Sequence, residues 1–498
     1  MIEGILTGIT NIIQPIHIVF LLFGLFIGFL GGATPGISGT MLVIILLPIT
    51  YGLDPTPAFL LLTAIYATAV FSGSISAILF KTPGAPESVA TVFDGYPMAK
   101  NGQAGKALGI AILSSAAGGI IGTIILIFLT PTLAGFALQF SAPEFFALAF
   151  LGLTVVASLS GGALIKGLIG VLFGLFIATI GRDVITGTNR YTFDSNYLLM
   201  GIDFIPVLIG LFAIAEVLRK FQEVELNKKV GKVITKLPDL KLFKKISGVI
   251  GRSSLLGIFV GILPGVGATT ASMLSYSEAA RWSKRKDKFG TGIPEGIAAP
   301  ESANNAASMG AMVPLLSLGI PGSATTAVIL GAFILHGIQP GPMMFSAQGD
   351  LVYTIFIGLL LVNVFIIFLS IPFIKLFSQI VKIPYMVIGP LILVFCVIGT
   401  YAVRNSIFDV WVMLGFGLLG YFFLKAKFPL APVILGVVLG PLAEENFRRA
   451  LLMGNNDFMI FFTRPISLTL IILAVISLLF PIIKNMIDKK KNHRDQAA

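Results

Sequence analysis

At 498 residues, 56% of them hydrophobic and 11% charged, and with a mean hydropathy of +0.96, the chain is no ordinary soluble protein, where about a quarter of residues carry charge. Its length suits ten or more spans of about 20 residues. The net charge of +11 does not point to nucleic acid, because the basic residues gather at 219–252, 281–288 and beyond Lys484, between or after apolar runs. That is the positive-inside pattern, and it places these stretches in the cytoplasm beside anionic lipid.

Apolar windows run at about 16–33, 41–53, 58–80, 107–130, 133–158, 163–180 and 200–218. They resume at about 253–280, 296–335, 351–374, 384–402, 407–424, 429–442 and 466–487. No basic flank of a cleavable signal precedes the first, which is expected to stay in the mature protein. That window runs into Gly31-Gly32-Ala33-Thr34-Pro35-Gly36-Ile37-Ser38-Gly39-Thr40, and the third into Lys81-Thr82-Pro83-Gly84-Ala85-Pro86-Glu87-Ser88. Proline cannot continue the amide ladder and glycine allows geometries other residues avoid. Uncoiled backbone at membrane depth is tolerated only where protein buries it or it lines a cavity.

The polar stretch from Glu216 to Arg252 divides the chain. A first membrane repeat is expected over 1–218, a basic cytoplasmic linker over 219–252, a second repeat over 253–487 and a basic cytoplasmic tail over 488–498. Both breaks recur in the second half, as Gly261-Ile262-Leu263-Pro264-Gly265-Val266-Gly267-Ala268-Thr269-Thr270 and as Leu318-Gly319-Ile320-Pro321-Gly322-Ser323-Ala324-Thr325-Thr326. No Lys or Arg precedes Lys81, whereas Lys244, Lys245, Arg252, Arg281 and Lys284 bracket Pro264-Gly265. The first run is therefore entered from outside and its counterpart from the cytoplasm, which defines an inverted repeat. Ser253–Leu263 and Val266–Ala280 make arms of roughly 15–22 Å against a core of about 30 Å, so a re-entrant hairpin is expected there. Each second break reads as a broken spanning helix, at about 58–98 and 295–340, with Lys100 and Lys106 inside and the loop His336–Asp350 outside. The fold class is an all-α polytopic membrane protein of two inverted-topology repeats with re-entrant hairpins and broken helices.

A half-helix that starts after a break presents N–H groups and a positive dipole end to an anion, and one that ends there presents carbonyls to a cation. Candidate substrate-binding residues are Thr34, Pro35, Gly36, Ser38, Gly39 and Thr40 at the first break and Pro83 and Gly84 at the second. In the other half they are Pro264, Gly265, Thr269 and Thr270, then Pro321, Gly322, Ser323 and Thr325. Hydroxyls there bind a carboxylate or an ion without burying a fixed charge. A lone Pro-Gly in a membrane helix is usually a kink; four in matched places argue for a site. Asn304 and Asn305, in Pro300-Glu301-Ser302-Ala303-Asn304-Asn305, lie deeper, where a buried amide needs partners. Candidates for ion coupling are Ser72, Ser74, Glu87, Asp94, Glu295 and Glu301.

Other chemistries lack their residues. Cys396 is alone, and His17, His336 and His493 are scattered without paired-ligand spacing, so no metal site is expected beyond a coupling Na+. Neither a Gly-x-Ser-x-Gly elbow, an HExxH nor a P-loop is present, so no catalytic residues and no cofactor are assigned and the chain is not read as an enzyme. A passive anion channel, or a carrier for a non-carboxylate solute, is the alternative.

At the breaks the chain resembles the large membrane subunit of the tripartite tricarboxylate transporter family. Matching text includes Gly31–Thr40, Gly73-Ser74-Ile75-Ser76-Ala77-Ile78-Leu79, Asp94-Gly95-Tyr96-Pro97-Met98-Ala99-Lys100, Pro264-Gly265, Pro300–Asn305, Gly319-Ile320-Pro321-Gly322 and Gly337-Ile338-Gln339-Pro340-Gly341-Pro342. The resemblance implies the permease core of a bacterial uptake system in the cytoplasmic membrane. Its partners would be a small four-helix membrane subunit and an extracytoplasmic solute-binding protein. Its substrates would be citrate or other carboxylates, driven by a sodium or proton gradient. Lys81 departs from the family's small polar residue at that place. Paired hairpins also suggest, by analogy of fold alone, an elevator-type mechanism.

Overall fold

The computed structural model describes residues 1–34, 36–159, 164–183, 185–222, 237–380 and 385–497. In chain order the first half holds α1 (Ile2–Ile12), α2 (Pro15–Ala33), α3 (Gly39–Thr50), α4 (Pro55–Phe80), a 3₁₀ turn (Pro86–Ser88), α5 (Thr91–Met98), α6 (Ala104–Ala137), α7 (Ala142–Leu159) and α8 (Leu164–Ala178). A small antiparallel hairpin follows, β1 (Gly181–Arg182) with β2 (Asn189–Arg190). Then come α9 (Phe204–Leu208), a π-helical turn (Ile209–Ile214) and α10 (Ala215–Lys220). The second half holds α11 (Leu240–Ile262), α12 (Gly267–Trp282), α13 (Glu295–Leu318), α14 (Ala324–Leu335), α15 (Met344–Ala347), α16 (Gly349–Ile380), α17 (Tyr385–Arg404), α18 (Ile407–Lys425), α19 (Leu430–Met453), α20 (Ile460–Thr463) and α21 (Pro465–Ala497). Among the described residues nine helices are long and apolar enough to cross a membrane. Large apolar side chains such as Phe368, Trp411 and Leu418 point outward on them, as lipid-facing residues do. The chain is a multi-pass membrane protein.

Two helices form the centre. Side chains are buried all along α4 from Pro57 to Ile78 and along α13 from Glu295 to Ser317. Glycines spaced four apart let a neighbour lie close against each. Gly24, Gly28 and Gly32 of α2 sit on the backbone of Leu61, Ile65 and Ala69, and Gly257 and Gly261 of α11 sit on that of Ala303 and Ala307. Small residues at this spacing are how membrane helices gain dispersion contact where water supplies no driving force. Phe59 of α4 stacks on Phe333 of α14 at 3.9 Å, so the two halves interlock.

One expectation about length is overturned. The arm before Pro264 begins at Leu240 rather than Ser253 and is 23 residues long, about 35 Å at 1.5 Å per residue. That is enough to cross, so arm length no longer requires a re-entrant hairpin there. The reason is amphipathicity. Ile246 and Ile250 are buried and Leu242 and Phe243 pack on the core, while Lys241, Lys244 and Lys245 remain exposed. A hydropathy window averages this stripe away. The last part of the expected linker is thus helix, and residues 223–236, with Glu223 and Glu225, lie outside the described residues.

Candidate functional site

All four breaks are uncoiled. After α2, Thr34 is extended and Gly36 takes φ +93°, a left-handed value suited to glycine; Pro35 itself lies outside the described residues. Ser38 then starts α3 by accepting the Met41 N–H at 3.2 Å. Between α11 and α12, Leu263 is extended while Gly265 and Gly267 have φ +78° and +70°. The long central helices end alike, α4 on Lys81 and α13 on Gly319, both left-handed. A reciprocal capping box of Ser323 and Thr326 starts α14, satisfying amides that a helix start leaves bare.

Glycine at the second breaks permits close packing. A side chain on Gly84 would strike the Gly32 carbonyl and Gly73, and one on Gly322 would meet the Gly261 carbonyl at 2.9 Å and Ala311 at 2.8 Å. The breaks also reach one another. The Gly265 amide donates to the Gly322 carbonyl at 2.9 Å. The hydroxyls of Thr40 and Thr325 lie 2.7 Å apart, and those of Tyr66 and Ser323 3.5 Å.

A cavity of about 750 Å³ opens where they meet. Gly36, Ser38 and Thr40 line it from the first break, and Pro83, Gly84 and Glu87 from the second. From the other half it receives Gly265, Thr269, Ser323 and Thr325. The first turns of α3, α12 and α14 therefore face one space with their positive dipole ends.

Other candidates lie behind this lining. The Thr34 hydroxyl bonds back to Leu30, Gly39 packs on Ala69, and Pro264, Thr270, Pro321 and Gly322 are not part of the wall. Asn304 and Asn305 are buried in α13. Asn304 donates to the Glu87 carbonyl at 3.2 Å, and Asn305 donates to the Asn304 side-chain oxygen at 2.8 Å and to the Glu301 carbonyl at 3.0 Å. They hold the wall from behind.

The ion-coupling candidates separate by their partners. Ser72 and Ser74 bond to helix carbonyls, of Gly28 and Phe71. Glu295 pairs with Arg285. Asp94 accepts the amides of Gly290, Gly292 and Ile293 at 2.7–3.0 Å and the Tyr276 hydroxyl at 2.9 Å. It fastens α5 to the loop before α13. Glu301, wholly buried, accepts from the hydroxyls of Thr91 and Ser115.

Sequence reasoning passed over part of the wall. Tyr66, and Glu216, Arg219 and Lys220 of α10, line the cavity, together with the turn from Leu424 to Ala431. The Lys220 stem crosses Gly36, and Arg219 pairs with Glu216 at 2.5 Å. These residues open a polar stretch and read as its beginning; only packing turns them inward.

A second cavity, of about 760 Å³, lies at the other end of α14 between the β1–β2 segment and α19. There Asp183 pairs with Arg448 at 2.6 Å and Arg190 at 3.4 Å, while Glu444 pairs with Arg190 at 2.5 Å and Arg448 at 2.8 Å. The Thr186 amide, then those of Ile185 and the Arg448 guanidinium, hold the Asp183 carboxyl well below the usual carboxylate range. Glu444 raises Arg190 in turn. The two pairs neutralise each other, and only Gly319 of the breaks reaches this wall.

Residues 18–435 match the model of the tripartite tricarboxylate transporter TctA family. A protein of Agrobacterium vitis described as an uncharacterized 52.8 kDa protein in the TAR-I ttuC' 3' region is 40% identical over 494 residues, 98% of this chain and 98% of that protein. A second, described as an uncharacterized protein in the TAR-II ttuC' 3' region of Agrobacterium vitis, is 40% identical over 234 residues, 47% of this chain and 97% of that one. No solved structure matches the chain.

Proposed function

Because the chain belongs to the tripartite tricarboxylate transporter TctA family, we propose that it is the permease subunit of a secondary uptake system for tricarboxylates or related carboxylates. A solute-binding protein delivers the substrate from outside, a small membrane subunit completes the complex, and a sodium or proton gradient drives it across the bacterial cytoplasmic membrane. The observation that carries this reading is the convergence of four breaks on one cavity. Three helix starts supply positive potential for an anion with few fixed charges to desolvate.

Two inverted repeats account for the shape. Gly84 lies over Gly32 and Gly73 as Gly322 lies over Gly261 and Ala311. Placing Pro83 on Pro321 brings Gly73 onto Ala311 as well. The cavities at the two ends of α14 then serve as inward and outward openings of one path, which favours alternating access over a fixed pore.

Reconstitution with both partner proteins tests it. Saturable uptake of a labelled carboxylate such as citrate, accelerated by an ion gradient and showing counterflow, is expected. Flux that rises linearly with concentration and ignores the gradient points instead to a passive channel.

A further inference from the structure

Resting on the transporter reading, we propose that Glu301 is the group that carries the coupling ion, and that the ion is a proton. Glu301 sits in α13, the helix at the centre of the molecule, and is wholly buried. One carboxylate oxygen accepts from the Thr91 hydroxyl of α5, and the other from the Ser115 hydroxyl of α6 at 2.8 Å. Neither hydroxyl has another acceptor among the described residues, and no Lys, Arg or His there forms an ion pair with Glu301. An unpaired carboxylate sealed from water is costly in its charged form, so the site lowers its free energy by taking up a proton.

The partners suit both states. With Glu301 ionised, both hydroxyls donate to it. With Glu301 protonated, one of them turns and accepts the carboxyl proton, since a hydroxyl does either. A hard cation is served less well, because it takes about six oxygens. Beyond the carboxylate and two hydroxyls, Ser74 and Asn304 come within reach. A sodium ion there would also require the Thr91 and Ser115 hydroxyls to turn their hydrogens away from the carboxylate, and neither has another acceptor among the described residues, while the Asn304 oxygen already accepts from Asn305 at 2.8 Å.

None of the surrounding charges among the described residues forms an ion pair with Glu301. Asp94 of α5 is committed to backbone amides and Tyr276 of α12, and Glu87 lines the cavity. Tyr66, the one titratable group of α4, meets Ser323. Tyr96 of α5 lies beside Lys81, Lys106 is the one charge on α6, and α14 carries none. On α11, Lys241, Lys244 and Lys245 are exposed and Arg252 lies over Trp282. Glu278 and Arg281 of α12 pair with each other, as does Glu295 with Arg285.

The same carboxylate controls the cavity wall. The segment from Pro83 to Thr91 is pinned by α13 at two places, Asn304 on the Glu87 carbonyl and Glu301 on Thr91. A proton taken from external water onto Glu301, and later returned to cytoplasmic water, changes the second pin while the substrate is held by the wall it anchors. One proton then enters per cycle with each substrate, and nothing else is consumed.

The test uses the reconstituted complex with a pH dye trapped inside and equal sodium on both sides. Carboxylate addition under an inward proton gradient is expected to bring protons in with the substrate. Glu301→Gln is expected to lose the several-fold stimulation by the gradient, and its residual counterflow to be flat between about pH 6 and about pH 8. Glu278→Gln, on the exposed end of α12, keeps the wild-type response. If the Gln variant does not fold, Thr91→Ala and Ser115→Ala each remove a donor to the ionised form, and the pH profile of counterflow should move upward by about one unit; an unmoved profile overturns the assignment. So does wild-type uptake driven by a sodium gradient with no proton entry, although the transporter reading then stands. Absence of any saturable uptake overturns that reading itself.

Discussion

Single atoms decide whether the breaks pack. At Gly322 an added methyl would meet backbone of α11 and α13 at once, at 2.8–2.9 Å, where neither helix can yield. Gly322→Ala should therefore destabilise the protein by about 1–3 kcal/mol, as overpacking does, and reduce uptake with it. Gly415→Ala, on an outward face with nothing within 4 Å, should leave the melting temperature in detergent nearly unchanged. Equal melting of the two variants would show that the close packing does not exist. Asp94 makes a second case. An Asn there keeps one acceptor oxygen where the carboxylate serves three amides and a phenol. Asp94→Asn should cost about 2–4 kcal/mol, because several charge-assisted bonds weaken at once, and Tyr276→Phe about 1.5 kcal/mol, because it removes one of them. A milder Asp94 variant than Tyr276 variant in the same melting assay would remove the fastening role.

At the scale of elements, what could be read in advance depended on whether the cause was local. Gly36, Pro264 and Gly265 break a helix by their own covalent geometry, so the breaks were legible. The basic wall of α10 was not. Arg219 and Lys220 look like the start of a solvated stretch, and only packing, with the Lys220 stem against Gly36, turns that end of α10 toward the cavity. The first half of α11 was hidden because its apolar stripe is diluted by lysines. The β1–β2 hairpin has two-residue strands and no alternation to detect. Its hold is electrostatic, and that gives it a pH signature. Asp183 has its folded-state affinity for protons lowered, so its contribution is fully present above the unfolded carboxylate range, near pH 4, and is lost as pH falls through the lower folded value. Hydrogen exchange over residues 181–203 should stay slow from neutral pH down to about pH 4 and quicken only below it. Asp183→Asn should quicken it several-fold at neutral pH, because Arg190 and Arg448 lose a shared anion. Loosening that already begins near pH 6 would mean that another group holds the hairpin.

For the whole molecule, orientation and access are one question. If the halves are inverted, the turn after α3 and the turn after α12 face opposite sides, so cysteines at Asp54 and Ser283 should react with an impermeant reagent from opposite sides. Cys396 is buried and contributes little background. The two cavities extend the argument. Thr269 lines the one at the start of α14, bordered by the basic end of α10, and Ile334 lines the one at its far end. Twelve residues of helix separate those ends, about 18 Å, and α14 is buried along most of that length. A cysteine at Thr269, in the substrate cavity, should then react from either side in turn, as alternating access requires, and one at Ile334 only from the side that labels Asp54. Bound carboxylate should protect the first several-fold and leave the second untouched, because only the first cavity gathers the helix starts. Labelling of Thr269 from both sides at rates that an imposed ion gradient leaves unchanged would mean a continuous aqueous pore, and a fixed channel would replace the alternating carrier.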